Sequence, residues 1–376
     1  MIVHTLKTVK EIKIGIGDDG SMAFVTRDEE LVKEASEILG RKPDGLLLKV
    51  FHFPAYTDIK NFKYGKLFNF TGVWHESTTL IETIKIQNLF AFYGIAPKVF
   101  GIFLLQNPTF NTTHYAVLTE DCGDADHGLS IEERTKRHET FYKNLPNITG
   151  LRLPFKDYTS SSNIINGKLV DWQCATYQDD YIWKLRERYL QKTGFGDSKY
   201  QTVPELDIQE GIRKTDIRIK DLGLDKIDFK GKTVVDVGCS GGNFINYAWK
   251  QGAKRTVGVD WYRVLEGTME LATYFGNFNA DFYPADLSEA MNEKVLEIAP
   301  FDICFLLSMT THIGIPEYLH SLSKMMVLEI NHEHQVEETL AKLKPYWHIK
   351  FIGKSTDFGD RNIYHCFNVN YFKKVL

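Results

Sequence analysis

The chain is poor in the features that mark several specialised classes. Its five cysteines (Cys122, Cys174, Cys239, Cys304, Cys366) are scattered among 376 residues, with no paired spacing suited to zinc. They lie mostly in apolar runs, which suits reduced, buried thiols in a cytosol-like compartment rather than a disulfide framework. Neither sign of charge dominates: 45 Lys and Arg face 49 Asp and Glu, a formal net charge of -4. No global basic field therefore points to nucleic acid. No uninterrupted apolar run approaches membrane-spanning length, so no membrane span is expected. The opening Met1-Ile2-Val3-His4-Thr5-Leu6-Lys7 lacks a long apolar segment of the signal-peptide kind. A cytoplasmic protein is the expectation. There is no internal repeat and no low-complexity segment.

What is present is ordinary globular material, 43% hydrophobic and 25% charged, with aromatics on the high side at 13%. The length suggests two domains. Residues 194–204 hold turn formers and Pro204 and make the best linker, flanked by helical patterns over 179–192 and 207–224. We place the boundary at 195/196. The aromatic-rich stretch 62–74 reads as core or as the lining of a ligand groove.

From Gly231 onward, apolar strand runs alternate with helical patterns, which argues a parallel α/β sheet. Strands are expected at Thr233–Val237, Arg255–Asp260, 280–283, Phe301–Leu307 and 325–330. Helices are expected at 242–251, 264–274, 316–323 and Val336–Leu343, and a final antiparallel hairpin over 348–353 and 362–369. The N-terminal part reads as α+β. Strands over 9–16 and 22–26 flank the turn signal Asp18-Asp19-Gly20. A strand at 46–51 contains Lys49, a helix covers 75–93, and strands follow at 99–105 and 114–119.

One stretch carries most of the functional information: Val234-Val235-Asp236-Val237-Gly238-Cys239-Ser240-Gly241-Gly242-Asn243-Phe244. An apolar strand ends in an acid, then a glycine-rich turn, then a helix. Glycine lets a backbone turn tightly and approach a ligand closely, and such turns bind nucleotide-like cofactors in doubly wound folds. The spacing Asp-x-Gly-x-x-x-Gly differs from the dinucleotide fingerprint. It resembles the first motif of class I S-adenosylmethionine (SAM) methyltransferases, and the downstream element order resembles their seven-strand Rossmann-like sheet.

That resemblance implies a SAM site built from Asp236, Gly238, Cys239, Ser240 and Gly242 at the methionyl end. Asp260, roughly 20 residues past the glycine turn, would accept the ribose hydroxyls, with Trp261 packed on the ribose or adenine face. Asp286 and Leu287 would meet the adenine, and Ser308 follows the fourth strand. As plain sequence, Asp260 also reads as a helix N-cap and Asp286 as a loop cap. His312, in the segment after that strand, is the candidate base, since imidazole titrates near neutral pH; a structural histidine is the alternative. Glu329, His332, Glu333 and His334 form a second polar cluster, read as substrate contacts or solvated loop and not as a metal site.

The N-terminal region resembles a degenerate protein-kinase-like, aminoglycoside-kinase-like fold. Lys49 stands where such folds hold phosphates, with Glu82 as its helix partner. Val117-Leu118-Thr119-Glu120-Asp121-Cys122-Gly123 resembles the hinge. Asn163 and Asp171 resemble the metal-binding pair, which implies ATP and Mg at this domain. The position of the catalytic aspartate holds Tyr158, with Asp157 one residue out of register, and little chain remains for a helical lobe. The Gly15, Gly17, Gly20 spacing suits a phosphate loop or a plain hairpin.

The expected protein is thus an α/β chain, with a kinase-like domain at 1–195 (N-lobe about 1–124, reduced helical part about 125–195) and a methyltransferase domain at 196–376. Methyl would pass by an SN2 step to an oxygen or nitrogen acceptor, a sugar, a phosphate or another small molecule. An RNA-modifying methyltransferase, a bifunctional kinase–methyltransferase and a non-catalytic SAM or nucleotide sensor are the alternatives. Acceptor and oligomeric state are left open.

Overall fold

A computed structural model of the chain describes residues 2–9, 23–54, 79–108, 111–123, 130–143, 145, 148, 151–152, 164–170, 176–193 and 200–372. The chain divides into two compact units. Unit 1 comprises Met1–Lys184 with Thr273–Asn279, and unit 2 comprises Leu185–Ala272 with Ala280–Leu376.

Unit 1 is built on β1 (Val3–Thr5), β2 (Ala23–Thr26), α1 (Glu29–Ile38), β3 (Leu46–Pro54), α2 (Leu80–Phe92), β4 (Val99–Asn107) and β5 (Thr112–Glu120). The sheet order is β1-β4-β5-β3-β2. Its pairs are antiparallel except β1 with β4. Alternate residues point to opposite faces of a strand, and the core divides accordingly. Leu48, Val50, Phe103, Leu105, Ala116 and Leu118 pack with Leu31, Val32 and Ala35 of α1. Phe51, Ile102, Tyr115 and Val117 pack with Leu80, Ile84 and Phe278. Both helices start on capping side chains. Asp28 accepts from the amides of Glu30 and Leu31. Thr79 and Glu82 form a reciprocal capping box.

The rest of the unit is α3 (Ile131–Lys143), the short pairs β6 (Leu151–Arg152) with β9 (Thr176–Tyr177) and β7 (Ile164–Ile165) with β8 (Lys168–Leu169), and the start of α4 (Tyr181–Thr193). The β7–β8 turn is Asn166-Gly167, both at positive φ, a favoured two-residue hairpin. The expected helix over 75–93 begins at Leu80 in the described residues. The turn at Asp18–Gly20, the glycine spacing 15–20 and the aromatic stretch 62–74 lie outside them.

Unit 2 continues with α5 (Thr215–Asp221), β10 (Thr233–Val237), α6 (Asn243–Lys250), β11 (Arg255–Asp260), α7 (Tyr262–Phe275), β12 (Ala280–Pro284), α8 (Glu293–Ile298), β13 (Phe301–Leu307), α9 (Thr310–Ile313) and α10 (Leu319–Leu322). Then come β14 (Ser323–Ile330), α11 (Val336–Leu343), β15 (Trp347–Lys354), β16 (Asn362–Asn368) and α12 (Val369–Phe372). Seven strands lie in the order β12-β11-β10-β13-β14-β16-β15. The first five run parallel and β16 is antiparallel to both neighbours. The central strands are buried on both faces, so they read as continuous apolar runs. One core holds Val235, Val237, Cys304 and Leu306, and the other holds Val234, Ile303, Phe305 and Leu307.

The helical pattern over 207–224 is a helix only at α5. Before it the chain folds back on itself, with Gln201 bridged to Arg213 and Val203 to Ile208. The turn needs Asp207 at φ 54 and a residue without Cβ at Gly211, where an added Cβ would lie 2.8 Å from the backbone of Gln201. The second half of α4 belongs to unit 2 because its side chains bond there. Arg188 pairs with Glu270, Lys192 with Glu266, and the Tyr189 hydroxyl donates to the Gly241 carbonyl. The division therefore falls after Lys184, some way before the 195/196 boundary expected from composition. Among the described residues no helix is long and apolar enough to cross a membrane.

Candidate active site

Strand order reverses between β10 and β13, and open α/β sheets bind ligands at the carboxyl ends of strands at such a switch. A cavity of about 500 Å³ lies there in unit 2. Its walls include Asp236 of β10, Gly238, Cys239 and Ser240 of the following turn, Asp260 at the end of β11, and Trp261. Asp286 and Leu287 beyond β12, Ser308 beyond β13 and His312 on α9 complete the group. Every residue expected from the sequence to form the cofactor site lines this cavity except Gly242.

Gly242 sits at the start of α6 with φ 73, where an added Cβ would fall 2.4 Å from Thr268 Cγ2. Its role is to let α6 and α7 approach. Gly238 is also at positive φ, and a Cβ there would collide with Met309. The turn between them is held by Asp260. Its Oδ2 accepts from the Ser240 amide at 2.8 Å and its Oδ1 from the Trp261 amide at 2.7 Å. The carboxylate therefore belongs to the turn itself and not only to the helix start. Burial raises the Asp260 carboxyl above its ordinary range, against the pull of those two amides.

Asp236 is 2% exposed and its Oδ2 has no hydrogen-bond partner. Burial pushes its carboxyl up to about 7; the Arg218 guanidinium opposes this and Asp260 adds to it. Burial likewise raises the Cys239 thiol well above its usual value, so it stays neutral. Asp286 is exposed and caps its own turn, accepting from the amide and hydroxyl of Ser288. Trp261 is 65% exposed at the rim. His312 is exposed on a one-turn helix that begins beyond Met309.

Ser308 follows β13 with φ 63, a left-handed conformation that is rare outside glycine. Its hydroxyl donates to Glu329 and accepts from Arg361 Nη1, and its carbonyl accepts from Asn331 Nδ2 at 3.1 Å. Glu329 thus stands apart from the exposed His332, Glu333 and His334, with which the sequence grouped it. It is 1% exposed and accepts from Arg213 Nη2 at 2.8 Å and Arg218 Nη2 at 2.9 Å. Burial alone would raise its carboxyl, but Arg218 and Arg213 outweigh that and hold it at about 2. Asp357 pairs with Arg213 from the other side at 2.7 Å. His332 and His334 stack on each other, centroids 5.4 Å apart.

Several lining residues carry no local signal in the sequence: Lys192, Tyr200, Gln201, Arg218, Phe244 and Met309. They come from elements distant in sequence or from apolar positions that read as core.

Unit 1 has a smaller cavity of about 250 Å³, lined by Lys49, Phe51, Thr83, Gln87, Glu120, Cys122, Gly123 and Val170 among others. Lys49 Nζ reaches the Val170 carbonyl at 3.4 Å. The expected ion pair between Lys49 and Glu82 is absent among the described residues. Glu82 lies at the third position of α2, where its carboxylate accepts from the Thr79 amide and hydroxyl. Asn163 and Asp171 lie outside the described residues.

Residues 220–357 match the family model of the FtsJ-like methyltransferases. The seven-strand sheet of unit 2 fits that match. No curated protein matches the chain. Among solved structures, that of WbdD is similar at 21% identity, covering 49% of this chain and 47% of that one, with a TM-score of 0.38. A second structure, titled as the bifunctional kinase-methyltransferase WbdD, has 19% identity over 49% of this chain and 46% of that one, also at 0.38. Magnesium protoporphyrin IX methyltransferase (ChlM) from Synechocystis PCC 6803, solved with bound SAM, has 18% identity over 41% of this chain and 77% of that one, at 0.32. The chain thus spans about half the length of WbdD. The matched stretch runs from the end of α5 to the loop after β15 and takes in the lining of the switch-point cavity apart from Lys192, Thr193, Tyr200, Gln201 and Arg218.

Proposed function

We propose that the chain is a SAM-dependent methyltransferase that acts on an oxygen or nitrogen acceptor such as a sugar, a phosphate or another small molecule. One observation carries the reading. At the switch point an acid at the end of β11 is clamped by two backbone amides, that of Ser240 in the glycine turn and that of Trp261 next to it in sequence, beside a cavity of about 500 Å³. That volume suits a small-molecule cofactor. Residues present fit SAM on two counts. Asp236 Oδ2 is buried without a partner, and a side chain on Gly238 would collide with Met309 at the cavity wall.

SAM supplies an electrophilic methyl group on a sulfonium. Around it each side chain has a defined task. Asp260, immobilised by two amides, keeps lone pairs for ribose hydroxyls. Asp236 offers its open oxygen to the methionyl ammonium. Leu287, 6% exposed, and Trp261 give apolar surface for the adenosine. His312 lines the cavity beyond β13 and orients or deprotonates the acceptor. Much of the rate comes from holding the nucleophile in line.

For unit 1 we propose nucleotide binding by a kinase-like module. The run β2-α1-β3-α2-β4-β5, the cavity, Lys49 on its wall and the 120–123 stretch beside it support that assignment. Calorimetric titration with SAM, S-adenosylhomocysteine, and ATP plus magnesium tests both parts. Micromolar SAM binding is expected. No response to SAM would end the methyltransferase reading, and none to ATP would reduce unit 1 to a scaffold.

A further inference from the structure

Charge around the cavity of unit 2 is divided between two sides. The carboxylates on its wall, Asp236, Asp260 and Asp286, belong to β10, to β11 and to the turn after β12. Beside the ends of β13 and β14 the balance is positive. There Arg213, Arg218 and Arg361 surround two acids, Glu329 and Asp357, which leaves one positive charge in excess. Asp236 also acts on Arg218, but burial pushes its carboxyl up to about 7, so near neutral pH it offsets only part of that charge. Two guanidinium atoms of the cluster, Arg213 Nη1 and Arg218 Nε, are buried without a partner. Charge held away from water and incompletely paired favours a counter-ion.

Arg361 is the most accessible of the three arginines. Its side chain is 14% exposed, against 0% for Arg213 and 2% for Arg218. Its Nη1 donates to the Ser308 hydroxyl and lies 3.7 Å from Glu329 Oε2. Among the described residues its Nε and Nη2 make no hydrogen bond, so two donors stay open. Ser308 lines the cavity just beyond β13, and so does Tyr200, which interacts electrostatically with Arg361. The Phe358 ring centroid lies 5.6 Å from the Arg361 guanidinium and 6.0 Å from that of Arg213. Burial lowers the Arg361 guanidinium from its ordinary value, and Arg213 and Arg218 repel it, against the pull of Glu329. An arginine stays protonated all the same, so this one is a fixed cation short of counter-charge.

We infer that the methyl acceptor carries an oxyanion, a phosphate or a carboxylate, which seats on the open nitrogens of Arg361 beside Ser308. This rests on the methyltransferase reading above and names the chemical class of its acceptor. The division of charge suits the two reactants. The acids face a cofactor that brings a sulfonium and an ammonium, and the arginines face the acceptor. Arginine presents its donors in a planar fork that matches either oxyanion. One largely buried fork suits a single such group rather than a run of phosphates.

The test is calorimetric titration of the full chain, saturated with S-adenosylhomocysteine, with inorganic phosphate and with acetate, at an ionic strength held constant by chloride. At least one anion should bind in roughly the millimolar range, and the tighter of the two names the oxyanion. R361Q should weaken that binding at least about tenfold, the worth of one charge-assisted hydrogen bond. R361K should recover most of it by restoring the cation. If R361Q does not fold, R361M, which keeps an apolar stem against Phe358, takes its place. No binding of either anion to the wild type would overturn the inference, as would full binding in folded R361Q or R361M. An anion that binds only without S-adenosylhomocysteine would occupy the cofactor's own ground and would overturn it too. Failure of S-adenosylhomocysteine itself to bind would instead sink the methyltransferase reading.

Discussion

Glu329→Gln is the most demanding test of how the site is held together. The side chain is 1% exposed and accepts from Arg213, Arg218 and Ser308. Glutamine removes the charge and turns one acceptor into a donor that faces a guanidinium. Two routes give the magnitude. Breaking a buried ion pair by removing one partner costs about 3–5 kcal/mol, because the remaining charge is stranded. Independently, the carboxyl is held at about 2 against an ordinary 4.5. At about 1.4 kcal/mol per unit, that difference is worth on the order of 3 kcal/mol. The folded value lies below the unfolded one, so this stability is fully present above pH 4.5 and is lost as pH falls through about 2. Urea unfolding at pH 7 should show the variant less stable by roughly 3 kcal/mol, with hydrogen exchange of β14 peptides assigning the loss to unit 2. The deficit should narrow as the pH drops below 4.5. A loss under about 1 kcal/mol at pH 7 would refute the hub role, since even one stranded guanidinium should exceed it.

Other substitutions address the chemistry. Asp260→Ala should weaken S-adenosylhomocysteine binding by about 1–3 kcal/mol through unpaired ribose hydroxyls, and unchanged calorimetric affinity would remove Asp260 from the site. His312→Ala should lower turnover while cofactor affinity stays nearly constant; full activity with an identified acceptor would end its role as base. Asp236 is raised to about 7 by burial, with Arg218 lowering it, Asp260 raising it, and the neutral thiols of Cys239 and Cys304 packed nearby. An ammonium ligand requires its ionised form, so S-adenosylhomocysteine affinity should fall as pH drops below about 7, by up to about tenfold per unit. The affinity for 5′-methylthioadenosine, which lacks the amino-acid group, should stay flat, and a parallel fall in both would place the titrating group elsewhere.

Much of unit 2 was legible because its signals are local. Buried parallel strands read as apolar runs, and the Asp236-to-Gly242 turn and Asp260 lie next to strand ends. Arg218, Tyr200 and Lys192 were not, since nothing near them in sequence says that α4, α5 and the fold-back at 200–213 reach the cavity. The over-long helix at 207–224 failed because the fold-back, with its bridges from Gln201 to Arg213 and Val203 to Ile208, took backbone groups that a helix would use. Helix α1 had its signals in view, the cap at Asp28 and the apolar stripe Leu31, Val32, Ala35 and Ile38. In unit 1, Lys49 was rightly placed on a strand, but Glu82 was assigned to it although Thr79 stands three residues earlier with a complete capping box.

The assignment of Thr273–Asn279 to unit 1 bears on how the protein can be divided. The chain passes between the units three times, after Lys184, Ala272 and Asn279. A single cut after Lys184 therefore yields fragments that each lack part of a native core. The C-terminal piece would carry Phe278 away from Phe51, Leu80 and Ile84 and expose it to water. The N-terminal piece would keep the hole that Phe278 leaves. Exposed aromatic surface of that kind promotes association. Co-expression of the two pieces, rather than either alone, is the route by which a split form would recover solubility.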